Sequence, residues 1–333
     1  MNHADVFMIF ETYPDDHPVK DLIKRQDKPF PRAYITKLAK TILRLSKIQH
    51  NVALDYLENK IRAKSGDSFD LHGFLSSVCE LSIMNTMLTK IQDASTFEYE
   101  PRPIPGSKKN PEFSLEIEKV KYYFEVKAPN LENYYKKLIS KVETGNPVLQ
   151  FDSRIMPLTE ERKEHILSTD SRIKDFLVDA NSKFLKGNNE HFNVLFICWS
   201  DETDQPCTAL KHPSHGLLTK NSWFKNGKGE VITFDNIDLI FISDLLQNHL
   251  VHMSCNGVAM PSFISGVPYF DNYQHTGIIP DPFNLGSSRN VIIETSVPES
   301  IIFPLPISTY DNPVHVITEE VVKRYCPEFK ISF

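Results

Sequence analysis

The sequence predicts an α/β domain, a mixed β-sheet flanked by helices. Three observations lead there. Residues 71–91 carry an apolar stripe at steps of three and four; residues 113–128 hold two alternating segments joined by a short turn; and residues 193–199 form an unbroken apolar run of strand length. The 333 residues suit one enlarged domain or two. Three segments are expected: a basic helical N-terminal part over 1–66, a core over 67–200, and a C-terminal region over 201–333 that completes the core or supplies specificity.

Residues 33–64 read as helical, because Leu38, Ile42, Leu45, Ile48, Val52 and Leu54 recur near helical spacing; Pro29 and Pro31 are expected to stop a helix before Ala33. SGDSFD (65–70) breaks the pattern. Leu71, Phe74, Leu75, Val78, Leu81, Met84, Leu88 and Ile91 then make one helical stripe, with Glu80 on its edge and partly inward. FEYEPRPIP (97–105) reads as a strand ending in prolines, GSKKN as a turn, and FSLEIE (113–118) as a half-buried strand. After a KVK turn, YYFEVKA (122–128) is the third strand. Helices are expected over 131–143 and 171–184, buried strands at 193–199 and 237–243, and short strands at 291–296 and 301–307.

Composition removes several classes. Hydrophobic content of 41% and charged content of 24% argue for a globular chain over a disordered one. No run approaches the roughly 20 uncharged apolar residues of a membrane span, so no membrane partner is expected. MNHADVFMIFETYPDD lacks the basic start of a secretory signal, which points to the cytoplasm. The five cysteines are odd in number and irregularly spaced, as free thiols in a reducing compartment are. Net charge is −6, but residues 20–64 carry 12 Lys/Arg against 4 Asp/Glu, and the rest of the chain 25 against 39. The distribution leaves nucleic acid open as a partner despite the acidic sum.

The chemistry-bearing residues lie around Pro111-Glu112-Phe113 and Glu125-Val126-Lys127. Side chains two apart on a strand share a face, so Glu125 and Lys127 project together, opposite Phe124 and Val126. Antiparallel pairing across the turn brings Glu112 near Glu125, and Glu80 on the neighbouring helix adds a third carboxylate. Carboxylates at one spot suit Mg²⁺ or Mn²⁺, with the Val126 carbonyl as a further oxygen ligand. Such a metal lowers the pKa of bound water and stabilises the charge that develops when a phosphodiester is hydrolysed. A lysine beside it orients or deprotonates the water and contacts the phosphate.

Glu80, the pair Pro111-Glu112 and the triplet Glu125-x-Lys127, with twelve residues between Glu112 and Glu125, resemble the PD-(D/E)xK nuclease superfamily and its restriction-endonuclease-like core. The resemblance spans about 70–200. It implies a metal-dependent nuclease with Glu112 and Glu125 as metal ligands, Lys127 as the catalytic lysine and Glu80 as an accessory ligand. DNA is the expected substrate ahead of RNA. Restriction or anti-phage defence is where such folds are often used. The family usually has Asp where this chain has Glu112, and that departure motivates the alternative of a catalytically inactive, nuclease-fold DNA-binding or interaction module. A surface salt-bridge ladder would also put charges on two strands, but it leaves Glu125 unexplained among aromatic neighbours.

Secondary expectations follow. Lys37, Lys40, Arg44 and Lys47 either grip phosphates or form a solvated helix face. Gln150, with Lys141, sits where some branches of the superfamily carry a polar residue beside the active site; an ordinary exposed residue is the alternative. His249, His252 and Cys255, and Cys207, His212 and His215, lack the spacing of a standard zinc module. Trp199 and Trp223 are expected in the core, with stacking on bases as the alternative. Cutting both strands of a duplex favours a homodimer, and residues 201–333 are a candidate surface for a protein partner.

Overall fold

A computed structural model describes residues 1–27, 29–65, 68–90, 96–117, 119–130, 169–188, 190–199, 204–255, 282–283, 285 and 290–294. The expected helix over 131–143 and strand over 301–307 lie outside them. The N-terminal part forms α1 (His3–Glu11), α2 (Pro18–Lys24), α3 (Pro29–Ile48) and α4 (His50–Asp55), which runs on into a π-turn, Tyr56–Lys60. A two-residue pair, β1 (Lys64–Ser65) and β2 (Ser68–Phe69), precedes α5 (Leu71–Lys90). Contrary to expectation, α3 begins at Pro29. Prolines are tolerated in a first helical turn, where their missing N–H groups would lack partners anyway. Gln49, in extended conformation, separates α3 from α4.

The remaining elements are β3 (Thr96–Tyr99), β4 (Phe113–Ile117), β5 (Val120–Lys127), α6 (Thr169–Asn181), β6 (His191–Cys198), α7 (Asp204–Lys211), β7 (Leu239–Ser243), α8 (Leu245–Cys255) and β8 (Asn290–Glu294). Six strands lie in sequence order in one sheet: β3, β4 and β5 form an antiparallel meander, β5, β6 and β7 run parallel, and β8 returns antiparallel. The strand expected over 97–105 ends at Tyr99, because Glu100 turns left-handed at φ 49° and Pro101 follows. The turn before β5 is tighter than KVK: Val120 already pairs with Ile117, and Lys119 takes φ 70°.

Both faces of the sheet are covered. On the first, Phe113, Phe124, Phe196 and Phe241 join one buried cluster with Val6, Phe10, Leu38 and Ile42 of the N-terminal helices, Phe74 and Leu81 of α5, and Leu246 of α8. On the second, Tyr123, Leu195, Ile197, Ile240 and Ile242 meet Ile173 and Leu177 of α6 and Leu210 of α7. This explains the unbroken apolar runs of β6 and β7, whose alternate residues serve opposite cores. Among the described residues no helix is long and apolar enough to cross a membrane.

Candidate active site

The β4–β5 register fixes the geometry. Phe113 pairs with Phe124, and their rings stack at 4.6 Å on the first face. Glu125 and Lys127 therefore lie on the second face, as alternation requires. Glu112 stands one residue before β4 rather than opening it. Its N–H donates to the Phe124 carbonyl and its own carbonyl accepts from Glu100 N–H, both at 2.9 Å, so the backbone is clamped from both sides.

Glu125 is fully buried. Its Oε1 accepts from Lys127 Nζ at 2.7 Å and from Lys183 Nζ at 2.5 Å. Its Oε2 is buried and, among the described residues, has no hydrogen-bond partner. Burial pushes this carboxyl up; the Lys127 charge opposes that shift, Glu112 adds to it, and Lys183 opposes it. Lys127 also binds Asp179 Oδ2 at 2.7 Å, and Asp179 in turn contacts Lys183 at 3.4 Å and Lys109 at 3.3 Å. Burial works against charge on Asp179, but the hydrogen bond and charge of Lys127, with Lys183 and Lys109, outweigh it and hold the group at about 2. For Lys127 burial would lower the pKa; Glu125 and Asp179 reverse this and raise it. In this arrangement Lys127 is a fixed ammonium, suited to orienting and charge stabilisation rather than to deprotonating water.

Glu80 approaches from α5, on the side of the first core. Lys60, the last residue of the π-turn, donates to Glu80 Oε1 and Oε2 at 3.2 and 3.3 Å and lies 3.8 Å from Glu112 Oε2. Its ammonium also sits 5.1 Å from the Tyr56 ring centre and 4.9 Å from that of Tyr99. Burial and then Glu112 push Glu80 up to about 8, with Lys60 and Tyr56 pulling the other way. The Tyr56 hydroxyl faces Glu80 without closing a hydrogen bond of ordinary geometry.

The structure thus joins Glu80 to Glu112 through Lys60, places Glu112 where its charge is felt by Glu125, and sets Lys127 on Glu125. Val126 turns its side chain into the first core, leaving only its backbone for a metal. Among the described residues no three His, Cys, Asp or Glu side chains are gathered to hold a metal ion. The buried Glu125 Oε2, unpartnered among the described residues, is nonetheless a hard oxygen of the kind Mg²⁺ or Mn²⁺ takes, and Glu112 is a second carboxyl near enough for its charge to raise Glu125, so the donor chemistry suits such an ion.

Sequence reading missed Lys60, Asp179 and Lys183. Asp179 and Lys183 are four apart across the end of α6 and were legible only as flanks of its apolar stripe. Lys60 depends on a π-turn that no periodicity announces. Of the basic set on α3, Lys40 and Lys47 are exposed and Lys37 is half-buried, whereas Arg44 donates to Asn85 and Thr89 of α5 and so packs two helices together. Gln150 and Lys141 lie outside the described residues. His249 is buried between Tyr34 Oη at 3.0 Å and Ser82 Oγ at 3.1 Å, which occupies both ring nitrogens. Trp199 is buried in the second core and Trp223 packs against it. Compared with known proteins, the chain matches no family model, no curated protein and no solved structure.

Proposed function

We propose that this chain is a metal-dependent nuclease that hydrolyses phosphodiester bonds, DNA ahead of RNA. The observation that carries the reading is Glu125: a fully buried carboxyl with one oxygen unpartnered among the described residues, raised by the charge of Glu112 and with Lys127 fixed at 2.7 Å. Breaking a buried ion pair costs about 3–5 kcal/mol, and a well-packed apolar replacement is often neutral or stabilising. Stability alone therefore gives little reason to place this charge here. The restriction-endonuclease-like core implied by Pro111-Glu112 and Glu125-x-Lys127 supports the same reading.

In this account Glu112, Glu125 and the Val126 carbonyl would hold Mg²⁺ or Mn²⁺, which supplies a nucleophilic water at neutral pH. Lys127, held between Glu125 and Asp179, orients that water and faces the phosphate as a charge. Asp179 and Lys183 position Lys127 and Glu125. Exposed Lys40 and Lys47 add salt-sensitive, sequence-independent affinity for the backbone. Labelled single- and double-stranded DNA and RNA oligonucleotides, incubated with Mg²⁺ or Mn²⁺, test this. The wild type cuts and Lys127→Met loses at least about a hundredfold in rate; equal rates for the two proteins would exclude it.

A second reading is favoured by a specific observation. The carboxylates already have lysine partners, so the network is able to serve as a structural zipper in a non-catalytic DNA-binding or interaction module. It predicts DNA binding without turnover, and no effect of divalent metal on thermal stability.

A further inference from the structure

The Glu80 end of the site differs from the Glu125 end in what faces it. Glu125 keeps a buried oxygen without a partner among the described residues. Glu80, buried on α5, has both oxygens engaged by one ammonium at 3.2 and 3.3 Å. That ammonium is also within 3.8 Å of Glu112 and is walled by the rings of Tyr56 and Tyr99. Two carboxylates and two aromatic faces make a cage for a monovalent cation that is covalently tethered to the chain. The tether starts from a fixed backbone, because Lys60 ends a π-turn whose closing N–H, that of Ile61, bonds to the Tyr56 carbonyl at 2.8 Å.

Resting on the nuclease reading above, we infer that Lys60 takes the place of a second metal ion. The active site then binds one divalent cation, between Glu112 and Glu125, and Glu80 anchors Lys60 instead of ligating metal. A second divalent ion would need the same oxygens of Glu80 and Glu112 that Lys60 already occupies, and it would sit against a fixed positive charge in a poorly solvated pocket. Lys60 is therefore a positioning residue. It bridges Glu80 and Glu112 and gives that half of the site a permanent charge that no chelator removes.

Calorimetric titration of the full-length protein with Mn²⁺ counts the sites without reference to turnover. The expected counts are one per chain for the wild type, one for Lys60→Arg, one for Glu80→Gln and two for Lys60→Met, whose vacated carboxylates accept a second ion. Low-temperature electron spin resonance of the Mn²⁺-loaded Lys60→Met protein then shows coupling between paired ions, absent in the wild type. Two ions in the wild type would overturn the inference and leave a nuclease of the two-metal kind standing; loss of the bound ion in Glu80→Gln would overturn it by making Glu80 a ligand of that ion. A Lys60→Met protein that folds and still binds one ion would also overturn it. No Mn²⁺ bound by the wild type would overturn both the inference and the metal-dependent reading beneath it. Should Lys60→Met not fold, the wild-type and Glu80→Gln counts decide alone.

Discussion

At the scale of single residues, the site is two neighbouring clusters of ionisable groups: Glu80 and Glu112 around Lys60, and Glu125 with Lys127, Lys183 and Asp179. Surface pairs of this kind contribute about 0–1 kcal/mol, and buried ones hold only when every member is satisfied. Glu125 is the member that is not, since its Oε2 has no partner among the described residues. Glu125→Gln takes the partner from Lys127 and Lys183 and is expected to cost about 3–5 kcal/mol in urea denaturation, with cleavage lost. Unchanged or raised stability would mean that these ion pairs contribute nothing to the fold. Asp179→Asn leaves Lys127 with one anchor. Removal of an outer partner typically costs about ten- to a hundredfold in activity, and a drop of that size in kcat with DNA affinity unchanged is the expected steady-state result.

At the scale of elements, the helices and strands that carry the motif were legible because their periodicity is strong. Leu71 to Leu88 reads at helical spacing, and β4 and β5 alternate on either side of a short turn. That alternation sufficed to place Glu125 and Lys127 together on one face. What was illegible depends on conformations with no sequence period. The π-turn that aims Lys60 is one. The left-handed Glu100 that ends β3 is another, and so is the proline-tolerant first turn of α3. Lys183 escaped notice because it lies just past α6, where residue spacing no longer says which way a side chain points. The β4–β5 turn offers a clean test of the backbone account. Lys119 is exposed and holds φ 70°, a region that costs a non-glycine residue about 1 kcal/mol. Lys119→Gly should raise the unfolding free energy by about 0.5 kcal/mol without altering cleavage, as read from paired denaturation and turnover curves.

At the scale of the whole molecule, buried ionisable groups pull stability in opposite directions with pH. His17 and His249 are held down, to about 4 and about 3, chiefly by burial. The unfolded chain takes up their protons as pH falls below about 6.5 while the folded form does not, so stability is lost from there toward the folded values. Glu80, raised to about 8 by burial and Glu112, acts oppositely: between about 4.5 and 8 the folded state keeps a proton that the unfolded chain releases, so stability falls as pH rises. Glu80→Gln removes the second effect. Its stability relative to wild type should climb from pH 5 to pH 8, by no more than about 1.4 kcal/mol per pH unit, and denaturation at both values checks the sign. A difference that shrinks across this range would mean that Glu80 is ionised throughout.

Hydrolysis of phosphodiester bonds by Glu112, Glu125 and Lys127 with a divalent metal is the proposal on which the rest depends. The most direct test is supercoiled plasmid mixed with wild type or with Glu125→Gln across a Mg²⁺ and Mn²⁺ titration, each point repeated with excess EDTA. Metal-dependent nicking or linearisation by the wild type is expected, with none in EDTA and none by the variant at any metal concentration. Cleavage by Glu125→Gln at the wild-type rate, or cleavage that persists in EDTA, would contradict it.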